Sequence, residues 1–211
     1  MSPKEIYNKI NAEKIIKNLE KRNMQGFFVK TKEEALKKAL DLIPEKSSVC
    51  YGGSQSILQI GLVDAIDKGD YTLFGRTKAN TPEEIEEIYG KAFISDFYLA
   101  SANAITLDGQ IVNIDGTGNR VAAMIYGPKN VILIVGVNKI SKDEESAIDR
   151  VKNYASPINS IRLDRNTPCK IKGNCYDCLC DETICCVTTI TRYSRYKDRI
   201  KVILVDEELG F

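Results

Sequence analysis

Five consecutive apolar residues, Val131-Ile132-Leu133-Ile134-Val135, constrain this chain more than any other stretch. Side chains along a strand alternate between the two faces of a sheet. A run with no polar residue on either face must therefore be covered on both. Such a strand belongs at the centre of a sheet with helices packed above and below it. The flanking sequence supplies both partners. Strand-forming runs at 27–29, 48–51, 71–74, 97–100 and 200–205 alternate with stretches of helical period. Ser2-Pro3-Lys4-Glu5, Thr31-Lys32-Glu33-Glu34 and Thr81-Pro82-Glu83-Glu84 are helix-start signatures, with a capping hydroxyl followed by a glutamate three residues later. Helices are expected over 2–25, ending at Gly26; from Thr31 to Leu42, ended by Pro44; through Leu58 to Ile66; and from Asp143 to Tyr154.

The alternation predicts an α/β fold: a Rossmann-like, mixed but mostly parallel sheet with helices on both faces. Asp108-Gly109 separates runs at 104–107 and 110–114 and signals a hairpin, which makes the sheet mixed. Residues 1–26 read as an N-terminal helical segment and residues 27–211 as the main α/β domain. Residues 168–189 form a cysteine-rich, metal-binding excursion from that domain.

Composition narrows the function. With 211 residues, 43% of them hydrophobic, the chain can build a core without disulfide staples. A net charge of +1 offers no footprint for nucleic acid. No apolar run approaches the ~20 residues of a membrane span. The first residues lack the apolar stretch of a secretory signal. A cytoplasmic, reducing location is expected, where clustered cysteines mean metal or redox chemistry rather than structural disulfides. The chain has no histidine. That excludes Ser-His-Asp and Cys-His mechanisms and leaves thiolates as the main soft-metal ligands.

Six of the seven cysteines fall between positions 169 and 186, with spacing C-x5-C-x2-C-x-C-x4-C-C. A Cys-x2-Cys step turns two thiolates toward one centre. Cys169, Cys175, Cys178 and Cys185 have a spacing similar in character to that of cysteine-ligated iron–sulfur proteins. They are the expected ligands of an iron–sulfur cluster, of the four-iron four-sulfide type. Cys180 and Cys186 are possible substitutes. Gly173 and Asn174 permit a tight turn that frees backbone N–H groups for the cluster. The alternatives are structural zinc, which usually shows two Cys-x2-Cys pairs, and redox-active thiols. Cys50 reads as a core strand residue, and the acidic run Glu83 to Glu87 and basic run Arg192 to Arg199 as solvated faces.

Two glycine loops follow strand-forming runs. Gly52-Gly53-Ser54 precedes a helix and suits an anion held by backbone N–H groups; the alternative is a plain strand-to-helix turn. The loop lacks a P-loop lysine and the spaced glycines of a dinucleotide site. Asp115-Gly116-Thr117-Gly118-Asn119-Arg120 adds a carboxylate and a cation able to hold a carboxylate or phosphate bidentately. In the bland reading, Asp115 is a turn residue and Arg120 its structural ion-pair partner. Asn103 and Thr106 are expected to add hydrogen bonds. A small anionic metabolite is the expected ligand, bound where the loops meet at the edge of the sheet.

The run Ser101-Ala102-Asn103-Ala104-Ile105-Thr106-Leu107-Asp108-Gly109-Gln110, followed by Asn113-Ile114-Asp115-Gly116-Thr117-Gly118-Asn119-Arg120-Val121-Ala122-Ala123, resembles the LUD (lactate utilization) domain family. Gly127-Pro128-Lys129, Gly136-Val137-Asn138-Lys139, Pro168-Cys169, Gly173-Asn174-Cys175-Tyr176-Asp177-Cys178, Ile184-Cys185 and Leu209-Gly210-Phe211 continue the resemblance. It implies a fold of the NagB/RpiA/CoA-transferase type, with small anions bound at glycine-rich strand-to-helix loops. It places the chain in a cysteine-containing subset and implies a part in lactate (2-hydroxy-acid) utilization, beside other iron–sulfur proteins of a lactate-oxidation system. It carries over no catalytic residue. The competing readings are a non-redox isomerase or transferase with structural zinc, and a redox- or metal-responsive module.

Overall fold

A computed structural model describes residues 1–75 and 79–211. The apolar run lies in β7 (Asn130–Gly136), where Val131 to Val135 are all 0% exposed. Its neighbours are β10 (Ile200–Val205) and β4 (Phe97–Ala100). Beyond β10 lies β1 (Gln25–Val29); beyond β4 lie β2 (Ser48–Tyr51) and β3 (Thr72–Gly75). The order is β1-β10-β7-β4-β2-β3, and every pairing is parallel.

Both faces are covered, as a parallel sheet requires. Val131, Leu133 and Val135 pack with α1 (Pro3–Lys21), α5 (Pro82–Ile94) and α6 (Asn119–Tyr126). Ile132 and Ile134 face α2 (Lys32–Asp41), α3 (Gln55–Gln59) and α4 (Leu62–Lys68). Ala12, Ile15 and Leu19 of α1 are fully buried in the first cluster, so residues 1–26 share the core of residues 27–211. Helix α1 has the Ser2–Glu5 capping box but stops at Lys21, four residues short of the expected end. Asn23 takes a left-handed conformation (φ 58°) and reverses the chain, so that Gln25 already pairs in β1.

The large sheet is not mixed. The Asp108-Gly109 hairpin, β5 (Ala104–Thr106) and β6 (Ile111–Asp115), leaves it for a second sheet with β8 (Ile140–Ser141) and β9 (Val187–Thr191). The order there is β8-β5-β6-β9, parallel only between β5 and β8. The reason is edge availability: β4 and β7 already have parallel neighbours on both sides, so the hairpin finds no free edge beside them. Ala104, Val112 and Ile114 pack on α7 (Glu144–Arg150) and a π-helical turn, Val151–Ala155, which continues into α8 (Ser156–Arg162). Strand β9 takes up the end of the stretch expected as an excursion, pairing Val187 with Asp115. What remains of that excursion is α9 (Pro168–Lys172) and the turns after it.

The basic run does not lie wholly on a solvated face. Arg199 is 9% exposed and donates to the carbonyls of Pro128 at 2.8 Å, Met124 at 2.7 Å and Ala123 at 3.3 Å, closing the C-terminus of α6. Among the described residues no helix is long and apolar enough to cross a membrane.

Candidate functional site

The chain leaves β2 toward β3 on one side and returns through α5 to β4 on the other, so sheet order reverses between β2 and β4. A crevice opens outside the carboxyl ends of strands at such a point. A cavity of about 250 Å³ lies there. Gly52, Gly53 and Ser54 line it after β2, Ser101 and Asn103 after β4, Asp115 to Thr117 after β6, and Lys139 after β7. The Ser54 hydroxyl oxygen is buried without a hydrogen-bond partner among the described residues.

Arg120 and Asp115 are held by the protein itself. The Arg120 Nε lies 3.3 Å from an Asp115 carboxylate oxygen. Nη1 donates to the Asn113 side-chain oxygen at 2.7 Å and to Ser101 O at 3.4 Å. Nη2 donates to the Asn103 side-chain oxygen at 3.1 Å and to Ile114 O at 2.9 Å. All three guanidinium nitrogens are thus engaged, which is the structural ion-pair arrangement rather than an open fork. Asp115 also accepts from the N–H groups of Gly118 and Val121, capping α6. Gly118 makes that turn: its φ of 84° is one that side-chain-bearing residues rarely adopt. Asn119 lines the cavity.

Thr106 is elsewhere. It is fully buried in the hairpin, where its hydroxyl accepts the Gln110 N–H at 3.0 Å, and it is not part of the cavity wall. The turn that the Asp-Gly pair forms uses the hydroxyl that sequence spacing assigns to a ligand.

Lys139 is the cation that loop motifs alone miss. It sits on a short 3-10 helix, Val137–Lys139, directly beyond β7, and is 3% exposed. Its Nζ donates to the hydroxyls of Ser56 and Ser101, each at 3.0 Å. No carboxylate pairs with it among the described residues. Burial pushes its pKa down to about 7, and the nearby charges of Arg150 and Arg120 push the same way. Arg150 donates to Asn138 O and Asn103 O, tying the lysine turn to the loop after β4. The signal in the sequence is positional: Lys139 is the charged residue just past the carboxyl end of the most apolar strand.

The cysteine segment adjoins this cavity. Cys186 N–H donates to Asp115 O at 3.0 Å, and Ile184 lines the cavity wall. The Cys185 thiol donates to the Ser156 hydroxyl at 3.4 Å, and Ser156 lines the same cavity. Burial raises the Cys185 pKa; Ser156 opposes this, while Cys169, Cys175 and Cys178 add to it. Cys169, Cys175 and Cys178 therefore lie within electrostatic reach of Cys185. Cys169 is the buried residue of α9, beside Thr167 and Ser160. Cys175 accepts the Asp177 N–H at 3.3 Å, an N–H···S bond. Lys152 pairs with Asp177 at 2.7 Å, anchoring this loop on the π-helical turn. Cys180 contacts Cys178 at 3.7 Å, and the Cys186 thiol donates to Thr183 O. Among the described residues no three Cys, Asp or Glu side chains converge tightly enough for a single metal ion. Cys50 is a core strand residue whose thiol burial pushes up to about 11.

Comparison with known proteins places this arrangement. The family model described as LUD domain matches residues 12–205. A solved structure, a DUF162 family protein from Deinococcus radiodurans, superposes with a TM-score of 0.54 at 12% identity, covering 94% of this chain and 98% of that one. At that identity the likeness shows the fold alone. eIF2B delta from Chaetomium thermophilum aligns over 56% of this chain and 50% of its own, with a TM-score of 0.37 and 14% identity, and carries no argument. No curated protein matches the chain.

Proposed function

The chain belongs to the LUD domain family, and from that premise we propose that it serves lactate or related 2-hydroxy-acid utilization by binding a small carboxylate in the cavity between the two glycine loops. One observation carries this reading: Lys139 is buried in the cavity wall with no carboxylate partner among the described residues. A buried cation left uncompensated favours an anionic ligand, since the anion supplies the missing partner. Gly53, Gly116 and Thr117 offer backbone at close range, and Ser54 offers an unused hydroxyl. Arg120 contributes its field and holds the Asp115 loop in place, and Lys139 adds its charge when protonated.

The same proposal assigns Cys169, Cys175, Cys178 and Cys185 to an iron–sulfur cluster. The donor chemistry fits: the four side chains are free thiols, Cys169, Cys175 and Cys178 each act electrostatically on Cys185, and a backbone N–H is aimed at the Cys175 sulfur. When bound, the cluster supplies one-electron redox chemistry beside the carboxylate site. Ser156 belongs to both, touching Cys185 on one side and the cavity on the other.

Anaerobic purification tests the cluster. A brown protein with iron and acid-labile sulfide is expected, with both lost in Cys175→Ser and Cys178→Ser and retained in Cys180→Ser and Cys186→Ser. A colourless protein carrying one zinc per chain rules the cluster out. Calorimetry with lactate, pyruvate and sugar phosphates tests the cavity; tighter binding of sugar phosphates than of the two short acids overturns the substrate class.

A further inference from the structure

We propose that Lys139 is a nucleophilic amine that condenses with the carbonyl carbon of a small 2-oxo acid bound in this cavity. The inference rests on the small-carboxylate reading above and gives it a reacting atom. A lysine that only balances charge usually lies against a carboxylate at the surface. Lys139 instead lies 3% exposed in a cavity wall, with two serine hydroxyls as its hydrogen-bond partners. A neutral amine has two N–H bonds and one lone pair. Ser56 and Ser101 accept the two N–H groups, which leaves the lone pair for a reacting carbon.

The surroundings favour the neutral form. Arg120 and Arg150 are the charged groups that face Lys139, both cationic, and both oppose a third positive charge. Burial acts in the same direction and is the larger cause. Desolvation beside other cations is a recognised way to activate a lysine. The residues near the carboxyl end of the chain pass beside the amine, where Gly210 and Phe211 line the same cavity. A Cβ at Gly210 would sit 3.2 Å from Nζ and 3.0 Å from the Ser56 hydroxyl, and the Gly210 φ is 57°. Only glycine lets the backbone pass this close over the amine. Lys139 lines the cavity, so a ligand held there lies beside it.

The reaction balances without any oxidant. The Nζ lone pair forms a bond to the carbonyl carbon while the carbonyl π pair moves to oxygen, which takes up a proton. The resulting carbinolamine gives up its hydroxyl as water, with the proton that completes this water coming from nitrogen. Amine and ketone become imine and water. Ser56 and Ser101, in mutual contact at 3.3 Å, are placed to pass these protons. The carboxylate of the substrate lies in the field of Arg120, which lines the same cavity, so the class is an acid with a carbonyl next to its carboxylate.

Borohydride trapping decides the matter. Anaerobically purified protein is incubated with pyruvate and reduced, then weighed intact and mapped by peptide mass. One reduced pyruvate on Lys139 is expected, with at least a tenfold lower yield without pyruvate. Lys139→Arg, which has no amine to condense, is expected to trap none. Binding to the wild type without an adduct overturns the proposal and leaves the anion site standing. Absence of both binding and adduct overturns the anion site and the proposal together. An adduct spread over other lysines, undiminished at Lys139→Arg, also overturns it. The peptide map of the wild type is decisive even if the variant does not fold.

Discussion

Arg120 and Lys139 stand about the same cavity with opposite accounts. Arg120 has every nitrogen matched to a protein acceptor and a carboxylate alongside; Lys139 has hydroxyls and, among the described residues, no carboxylate. Removing the first should damage the fold. Arg120→Ala leaves Asp115, with a side chain 10% exposed, without its counter-charge, and about 3 kcal/mol of stability should be lost in urea unfolding. Asp115→Asn combined with it should cost less than the two single changes added, since they share one interaction. Removing the second should help the fold. The unfolded chain keeps this lysine protonated up to its ordinary 10.5, whereas the folded chain gives up the proton near 7. Between those values the unfolded state binds more protons, so stability from this group rises with pH and is lowest below 7. Lys139→Met should therefore be more stable than the wild type by a few kcal/mol at about pH 6, with the gap closing toward pH 10. Urea melts of the two proteins across that range check it; a gap that is constant with pH removes the buried charge as its cause.

Helix α6 shows how one element joins the site to the core. Its N-terminus is closed by Asp115 and its C-terminus by Arg199, two side chains that lie on either side of it in sequence. The basic run that contains Arg199 gives no hint of this from composition, because only the return of the chain through β10 carries that arginine under the helix. Arg199→Met should deprive the carbonyl groups of Met124 and Pro128 of this donor, while Ala123 O keeps the Gly127 N–H, and should lower stability by about 2 kcal/mol. Arg199→Lys should recover part of that loss, as a single amine reaches fewer of the three oxygens. Equal stability of Arg199→Met and wild type in thermal unfolding would contradict the assignment. The hairpin is the converse case. Asp108-Gly109 is a local signal and forms locally, with Gly109 at φ 81°, but nothing local says which sheet it joins.

At the scale of the molecule, two sheets share one framework. Ile105 and Ile111 of the smaller sheet lie in the same apolar cluster as β7 and α1. Leu19, wholly buried there, is a test of that unity: Leu19→Ala should cost roughly 3 kcal/mol and lower the whole unfolding transition, not split it. A separate early transition confined to the N-terminal helix would show that α1 melts apart from the rest. The sequence by itself determined what near-neighbour chemistry controls: the doubly covered central strand, the capped helices, the Asp-Gly turn, and a thiol-rich segment in a chain without histidine. Only the tertiary structure decided which of these meet. It split the sheet, because strands with both edges filled accept no third partner. It withdrew Thr106 into a hairpin and engaged Arg120 with the protein's own acceptors. It also set Lys139 between two serines from distant parts of the chain and laid the cysteine segment against the same cavity. Burial, edge pairing and the balance of buried charge are sums over residues far apart in sequence, and no local pattern encodes them.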